Sequence, residues 1–334
     1  MQKLAIIYRR MRPLYTFPLP QVLIDALTNS GFTIFEDLFD ENEKIHEHAE
    51  EILKQYSYSV SDIKALVALP SITTAALLLR SEELNESIPT FSEALDGILG
   101  GGVRLDSLLH VCGPPGSGKT LLSLQLCIAV QVPECLGGLE AQAVFIDTDF
   151  GFTVSRLREI AEGAYNYCIK VAEHHNLIDS ISKFSADTML EKVHYLPARN
   201  HYQLLAAVQI LKQFVAENSK IKVVIVDSII FPFLNVSNTL ERTRLIYSVL
   251  NQLYELADTY NLAVIVTNHL TTKISKFSKY LAPSLGESLS HRIPQTLLLG
   301  RYNNVFSAVV TKSPNLPETV AHFSITKDGL TDVT

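Results

Sequence analysis

From Leu108 onward the chain alternates two apolar patterns. Short runs rich in β-branched residues and bounded by turn formers lie between longer stretches whose apolar positions recur every three or four residues. The runs are Leu108 to Cys112, Ala143 to Asp147, Lys192 to Leu196, Lys222 to Asp227, Leu262 to Thr267 and Gln295 to Leu299. The helical stretches are Thr120 to Val130, Val154 to Glu162, Tyr202 to Glu217 and Leu245 to Tyr260. Strands that are apolar throughout must be covered on both faces. The pattern therefore predicts an α/β core: a mostly parallel sheet between two layers of helices.

The first 70 residues read differently. Gln21 to Ser30 forms an amphipathic helix, Gly31 to Phe39 a turn and second helix, and Glu43 to Tyr56 a charged helix. Ser61 to Leu69 is a further helix with Ser61 as its N-cap, and Pro70 closes the segment. Residues 1–70 are expected to form a small helical N-terminal domain, 71–90 a linker, and 91–334 the α/β core. In the core, Phe91 to Leu99 reads as a short helix stopped by Gly100, Gly101 and Gly102. His46 and His48 lie among carboxylates, but without a third ligand they read as a solvated helix face rather than a metal site.

Composition narrows the class. Hydrophobic residues make up 47% and charged residues 19%, with a mean hydropathy of +0.17, as expected for a globular chain with an apolar interior. No apolar run approaches the ~18 residues needed to span a membrane, and Met1 to Arg10 lacks the apolar core and cleavage site of a secretory leader. Cys112, Cys127, Cys135 and Cys168 form no C-x-x-C pair and read as thiols of a reducing compartment. A net charge of −7 and a pI near 5.8 exclude a surface coated in positive charge, so any contact with nucleic acid must be local or shared.

The candidate chemistry centres on Gly113-Pro114-Pro115-Gly116-Ser117-Gly118-Lys119-Thr120, which fits the phosphate-loop pattern G-x-x-x-x-G-K-[ST] between a buried strand and a helix. Side-chain-free residues let backbone amides converge on a phosphate chain, and the helix adds its positive end. Lys119 would neutralise the β- and γ-phosphates, while the Thr120 hydroxyl would sit on Mg2+. Asp227 ends an apolar strand where open α/β sheets hold ligands and would order the Mg2+ from the opposite side. Asp147 and Asp149, at the end of another strand, are the candidates to polarise a water for γ-phosphate hydrolysis.

These motifs carry a resemblance. Leu95 to Gly102, the phosphate loop, Phe145 to Asp149, Val223 to Ser228, Val264 to His269, Thr311 to Glu318 and Thr326 to Asp332 together resemble the RecA-type recombinases of eukaryotes and their paralogues over about residues 70–334. The resemblance implies a RecA-like P-loop NTPase core that binds ATP and Mg2+. Position by position it implies that Arg156 stacks on adenine and that Asn268 and His269 stand where an Asn-Gln pair senses the γ-phosphate. It also implies that Ser313 to Glu318 cap ATP bound by a neighbouring subunit. Ile72 and Ala75 fall where the linker docks on the next protomer as an added strand, with Ile in place of Phe.

The departures matter as much. The family's catalytic glutamate aligns with Asp149, one methylene shorter. A carboxylate drawn back by more than ~1 Å costs about 10²-fold in rate, so slow, DNA-dependent hydrolysis with retained ATP binding is expected. The first DNA-binding loop, Ile229 to Asn238, carries no cation and is expected to have lost its phosphate contacts. The helix-hairpin-helix glycine is also replaced, around Ser57 to Ser61. In the second loop, Leu270 to His291, Lys273, Lys276 and Lys279 interleave with Phe277 and Tyr280, as suits single-stranded DNA. A solvated lysine-bearing loop has the same composition, and the sequence does not choose between the two.

The leading expectation is a nuclear, ATP-binding recombinase paralogue. It would assemble with other paralogues and assist the strand-exchange recombinase on single-stranded DNA in homologous recombination and repair. The alternatives are an active DNA-dependent ATPase that exchanges strands itself, and a RecA-fold scaffold in an unrelated complex.

Overall fold

The computed structural model describes residues 13–17, 19–39, 44–56, 58–65, 74–83, 85–274, 279–283, 292–302 and 305–333. The chain divides into two compact units, Met1–Ser81 and Glu82–Thr334.

The first unit is helical. Gln21–Asn29, Glu47–Gln55 and Val60–Ala65 are α-helices, and Leu23, Leu27, Phe35, Leu38, Leu53 and Ile63 are buried in their shared core. Phe35–Leu38 is one 3-10 turn rather than a second helix, because the Asp37 carboxylate accepts the Thr33 and Ile34 amides at 3.1 Å and holds the chain in a tight loop. The cap of Val60–Ala65 is Ser59, not Ser61. The Asp62 amide donates to the Ser59 hydroxyl and the Ser59 amide to the Asp62 carboxylate, a reciprocal pair that satisfies two amides at once. Part of the stretch read as linker is the helix Ala75–Glu83, on which Leu77, Leu78 and Leu79 are exposed.

In the second unit, β1 (Ser87–Ile88) and β2 (Val103–Arg104) form a small antiparallel pair around the helix Glu93–Leu99. The Ser92 hydroxyl caps that helix and Gly100, at φ +76°, ends it. The remaining strands are β3 (Leu108–Gly113), β4 (Gln142–Asp147), β5 (Val193–Pro197), β6 (Ile221–Asp227) and β7 (Ala263–Ile274), followed by β8 (Lys279–Pro283), β9 (Gln295–Tyr302), β10 (Val305–Lys312), β11 (Val320–Thr326) and β12 (Gly329–Asp332). They form one sheet in the order β12-β11-β10-β9-β3-β7-β6-β4-β5, with β8 paired to β7. The half from β9 to β5 is parallel; β9 to β12 continue it antiparallel.

Period-two alternation divides the strand side chains between two cores. Val223 and Ile225 join Phe145, Ile265 and the helices Lys119–Ala129 and Val154–His175 on one face, whereas Val224 and Val226 join Ile146, Val266 and the helices His201–Glu217 and Thr239–Tyr260 on the other. Each fully buried Val or Ile contributes about 1.5–3 kcal/mol, so a one-residue slip of any central strand would be prohibitive. The register thus fixed sets Asp147 beside Asp227, Cys112 beside Asn268 and Gly113 beside His269 along the carboxyl ends of the strands. Among the described residues no helix is long and apolar enough to cross a membrane.

Candidate nucleotide-binding site

The phosphate loop leaves β3 and enters the helix Lys119–Ala129 through backbone that side chains would obstruct. A methyl group on Gly113 would meet the Leu299 carbonyl oxygen and the Ser117 hydroxyl at 2.5 Å. Gly116 and Gly118 hold φ of +75° and +98°, the left-handed region that favours glycine. The Ser117 Oγ is buried and has no hydrogen-bond partner among the described residues. Lys119 curls back over the loop, its ammonium donating to the carbonyls of Gly113 at 2.9 Å and Pro114 at 3.0 Å.

Opposite the loop, Asp227 is buried at the end of β6. Its Oδ2 accepts the Thr120 hydroxyl at 2.7 Å and its Oδ1 the Thr267 hydroxyl. Burial pushes its carboxyl up from the ordinary value, against the two hydroxyl bonds. Burial likewise pulls the Lys119 ammonium down, opposed by Asp227, Cys112 and Asp149. Thr148 braces the strand end: its hydroxyl donates to the Ser228 carbonyl at 2.8 Å and accepts the Ser228 amide at 2.6 Å. Thr148 and Thr267 escaped the sequence reading, because a threonine at a strand end looks like any β-branched strand residue.

The structure separates the two carboxylates that the sequence left equivalent. Asp147 is enclosed: its Oδ2 accepts the Arg199 guanidinium and the Tyr195 hydroxyl, each at 3.0 Å, and its Oδ1 accepts the Gly151 amide at 3.2 Å. Asp149 keeps a buried Oδ1 without a partner among the described residues, while its Oδ2 lies 3.5 Å from the His269 ring. A methyl group on Gly151 would stand 3.1 Å from the Asp149 Oδ1 and 3.5 Å from the Thr120 hydroxyl, so the Asp149 turn abuts the loop.

The other expected residues fall in several places. The Arg156 guanidinium donates to the carbonyls of Thr326 and Lys327 and pairs with Glu159 at 2.6 Å, which anchors it against the turn between β11 and β12. Ser313 to Glu318 form the turn from β10 to β11. Of the first loop, Ile229, Ile230 and Phe233 are buried in the core and Phe231–Phe233 is a 3-10 turn. Much of the second loop is a hairpin rather than irregular chain, because β7 runs on to Ile274 and pairs with β8 so that Lys273 faces Tyr280 and Ile274 faces Lys279 in register. Lys276 and Phe277 lie outside the described residues, as does Ile72; Ala75 opens an exposed helix.

The donor set fits a magnesium nucleotide. Two carboxylates, Asp149 and Asp227, stand against one ammonium, and the buried Asp227 carboxyl is pushed toward its neutral form, a cost that a cation would relieve. Thr120 and Asp227 would hold Mg2+, and the loop amides with Lys119 and Ser117 would take the phosphates. When bound, the metal would neutralise charge developing on the phosphoryl oxygens.

Fold and site together define a RecA-like P-loop nucleotide-binding protein. Residues 80–333 match the Rad51 family. The chain is 35% identical to the DNA repair protein RAD51 homolog 3 of Cricetulus griseus, over 96% of this chain and 92% of that protein. It is 31% identical to the DNA repair protein RAD51 homolog 3 of Dictyostelium discoideum, over 78% and 70% respectively. The chain belongs to the Rad51 family. That family is one of nucleotide-binding ATPases, which implies ATP with Mg2+ in general terms.

Proposed function

We propose that this chain is an ATP-binding, nuclear recombinase paralogue that assembles with other Rad51-family chains and assists the strand-exchange recombinase on single-stranded DNA. The coarser role, in recombination and DNA repair, goes with the family and with relatives named as DNA repair proteins. The observation that carries the finer reading is a phosphate loop faced by Asp227, beside a first loop that carries no cation and buries its leading residues in the core. Ile229, Ile230 and Phe233 contribute to stability there, where a strand-exchange enzyme needs cations facing phosphate.

In this reading the loop amides of residues 113–120 and Lys119 bind the phosphates, Thr120 and Asp227 hold Mg2+, Arg156 meets the adenine and His269 responds to the γ-phosphate. Asp149 orients the attacking water, slowly, from its shortened side chain. A partner would join as an added strand on β5, one of the two edge strands of the sheet. A cavity of about 280 Å³ lined by Val144, His194, Leu196, Ile210 and Phe214 lies beside that edge and has the apolar lining an anchoring side chain needs. The Lys273 and Lys279 hairpin would supply what contact with single-stranded DNA the chain makes.

The test is recovery of the tagged chain from its own cells followed by mass spectrometry. Other Rad51-family chains should co-purify, and less of them with Lys119→Ala. Recovery without any of them would contradict the assembly.

A further inference from the structure

Asp147 takes no part in the function proposed above, yet its side chain is held on both oxygens and is only 2% exposed. Arg199 reaches it from the loop after β5, donating to its Oδ2 at 3.0 Å and its main-chain carbonyl at 3.3 Å. Arg199 also donates to the Tyr195 hydroxyl at 2.8 Å, and that hydroxyl donates to the same Oδ2 at 3.0 Å. The three groups close a ring around one carboxylate oxygen. Such charge-assisted bonds are about twice as strong as neutral ones.

The other oxygen of Asp147 accepts the Gly151 amide and so closes the turn Thr148-Asp149-Phe150 from within. Phe150, at the tip, takes a left-handed φ of +67°, unfavourable for a side chain of its size, and is 70% exposed. Its ring lies 3.7 Å from the Arg199 guanidinium carbon, so the same cation grips the turn at base and tip. Below, Phe152 packs between Phe145 and Tyr195 with ring centroids 4.9 and 4.8 Å apart. In the same turn Asp149 sets one oxygen 3.5 Å from His269 and keeps the other, beside the phosphate loop, without a partner among the described residues.

We infer that Arg199 and Tyr195 are positioning residues for Asp149: by clamping Asp147 they fix the turn that carries the Asp149 carboxylate against the phosphate loop. The inference rests on Asp149 acting at the terminal phosphate. The clamp adds no group that touches nucleotide. It removes freedom from a short carboxylate that must reach further than a glutamate would.

Two readouts on the full-length chain test it. The first is amide hydrogen exchange in Arg199→Leu. Residues 148–151 should exchange about tenfold faster or more, with β4 unchanged. The second is turnover. Arg199→Leu should lower kcat by about 10²-fold with KM for ATP unchanged, since a displacement near 1 Å has that effect. Arg199→Lys should restore part of the loss, and Tyr195→Phe should cause a smaller one. On an Asp149→Ala background, Arg199→Leu should lower kcat no further. Unaltered exchange at 148–151, or an equal loss on the Asp149→Ala background, would overturn the clamp. Full turnover by Asp149→Ala alone would instead remove the proposed role of Asp149, and the exchange result would still decide whether Arg199 holds the turn.

Discussion

Asp149 and Asp147 are two residues apart on one strand end, and their surroundings give them opposite tasks. Asp147 has both oxygens committed to Arg199, Tyr195 and Gly151, so it is built into the turn. Asp149 has a buried oxygen without a partner among the described residues and a histidine at 3.5 Å, a carboxylate poised rather than spent. On the proposed role, its shortness would limit the rate. Asp149→Glu should raise ATP turnover, read as phosphate release at saturating ATP with the KM unchanged. An unchanged or lower kcat would mean that reach does not limit the rate. Lys119 and Thr120 stood out in the sequence because the phosphate-loop pattern prescribes them, and Asp227 because it ends an apolar strand; the structure sets Asp227 against Thr120. Arg199 did not stand out, because nothing in an isolated arginine 52 residues from Asp147 announces the carboxylate it will meet.

At the scale of elements, legibility followed burial. β3, β4, β6 and the helix Lys119–Ala129 emerged within a residue or two of their predicted bounds, since strands covered on both faces leave unbroken apolar runs. The helix Thr239–Tyr260 begins six residues earlier than its apolar pattern, since its first turn is capped by Asn238 and faces solvent. The helix Val154–His175 continues past Glu162 on Ala164, Cys168 and Ala172, small buried residues that make a weak stripe. The strands β10 to β12 went unread because their half-exposed positions blur the alternation. They nonetheless close the site's flank: Ile325 of β11 would lie 3.3 Å from a methyl group on Gly118. From β12, Asp332 accepts the Ser92 hydroxyl and the amides of Glu93 and Ala94, capping the helix Glu93–Leu99 across some 240 residues of sequence. Burial works to raise the Asp332 carboxyl, but those three hydrogen bonds outweigh it and hold the group below its ordinary 3.8. A depressed acid stabilises the fold above its unfolded pKa and loses that contribution as pH falls through the folded value. Asp332→Ala should therefore lower thermal stability at neutral pH by about 1 kcal/mol, a gap that should narrow as pH drops below 3.8. A gap that is absent at pH 7, or constant with pH, would contradict the cap.

On the proposed function, the molecule as a whole keeps a nucleotide site while its strand-exchange surface is reduced. The chain carries net charge −7, its first loop has no cation and packs Ile229, Ile230 and Phe233 into the core, and its described cations near the second loop sit on a short hairpin. What remains intact is the cradle of residues 113–120 with Asp227 across from it. The most direct measurement is equilibrium binding of a fluorescent ATP analogue to the purified full-length chain, with and without Mg2+. Binding that needs Mg2+, competes with unlabelled ATP and disappears in Lys119→Ala is the predicted result. A wild-type chain that takes up no adenine nucleotide, or a Lys119→Ala chain that binds as tightly as wild type, would contradict it.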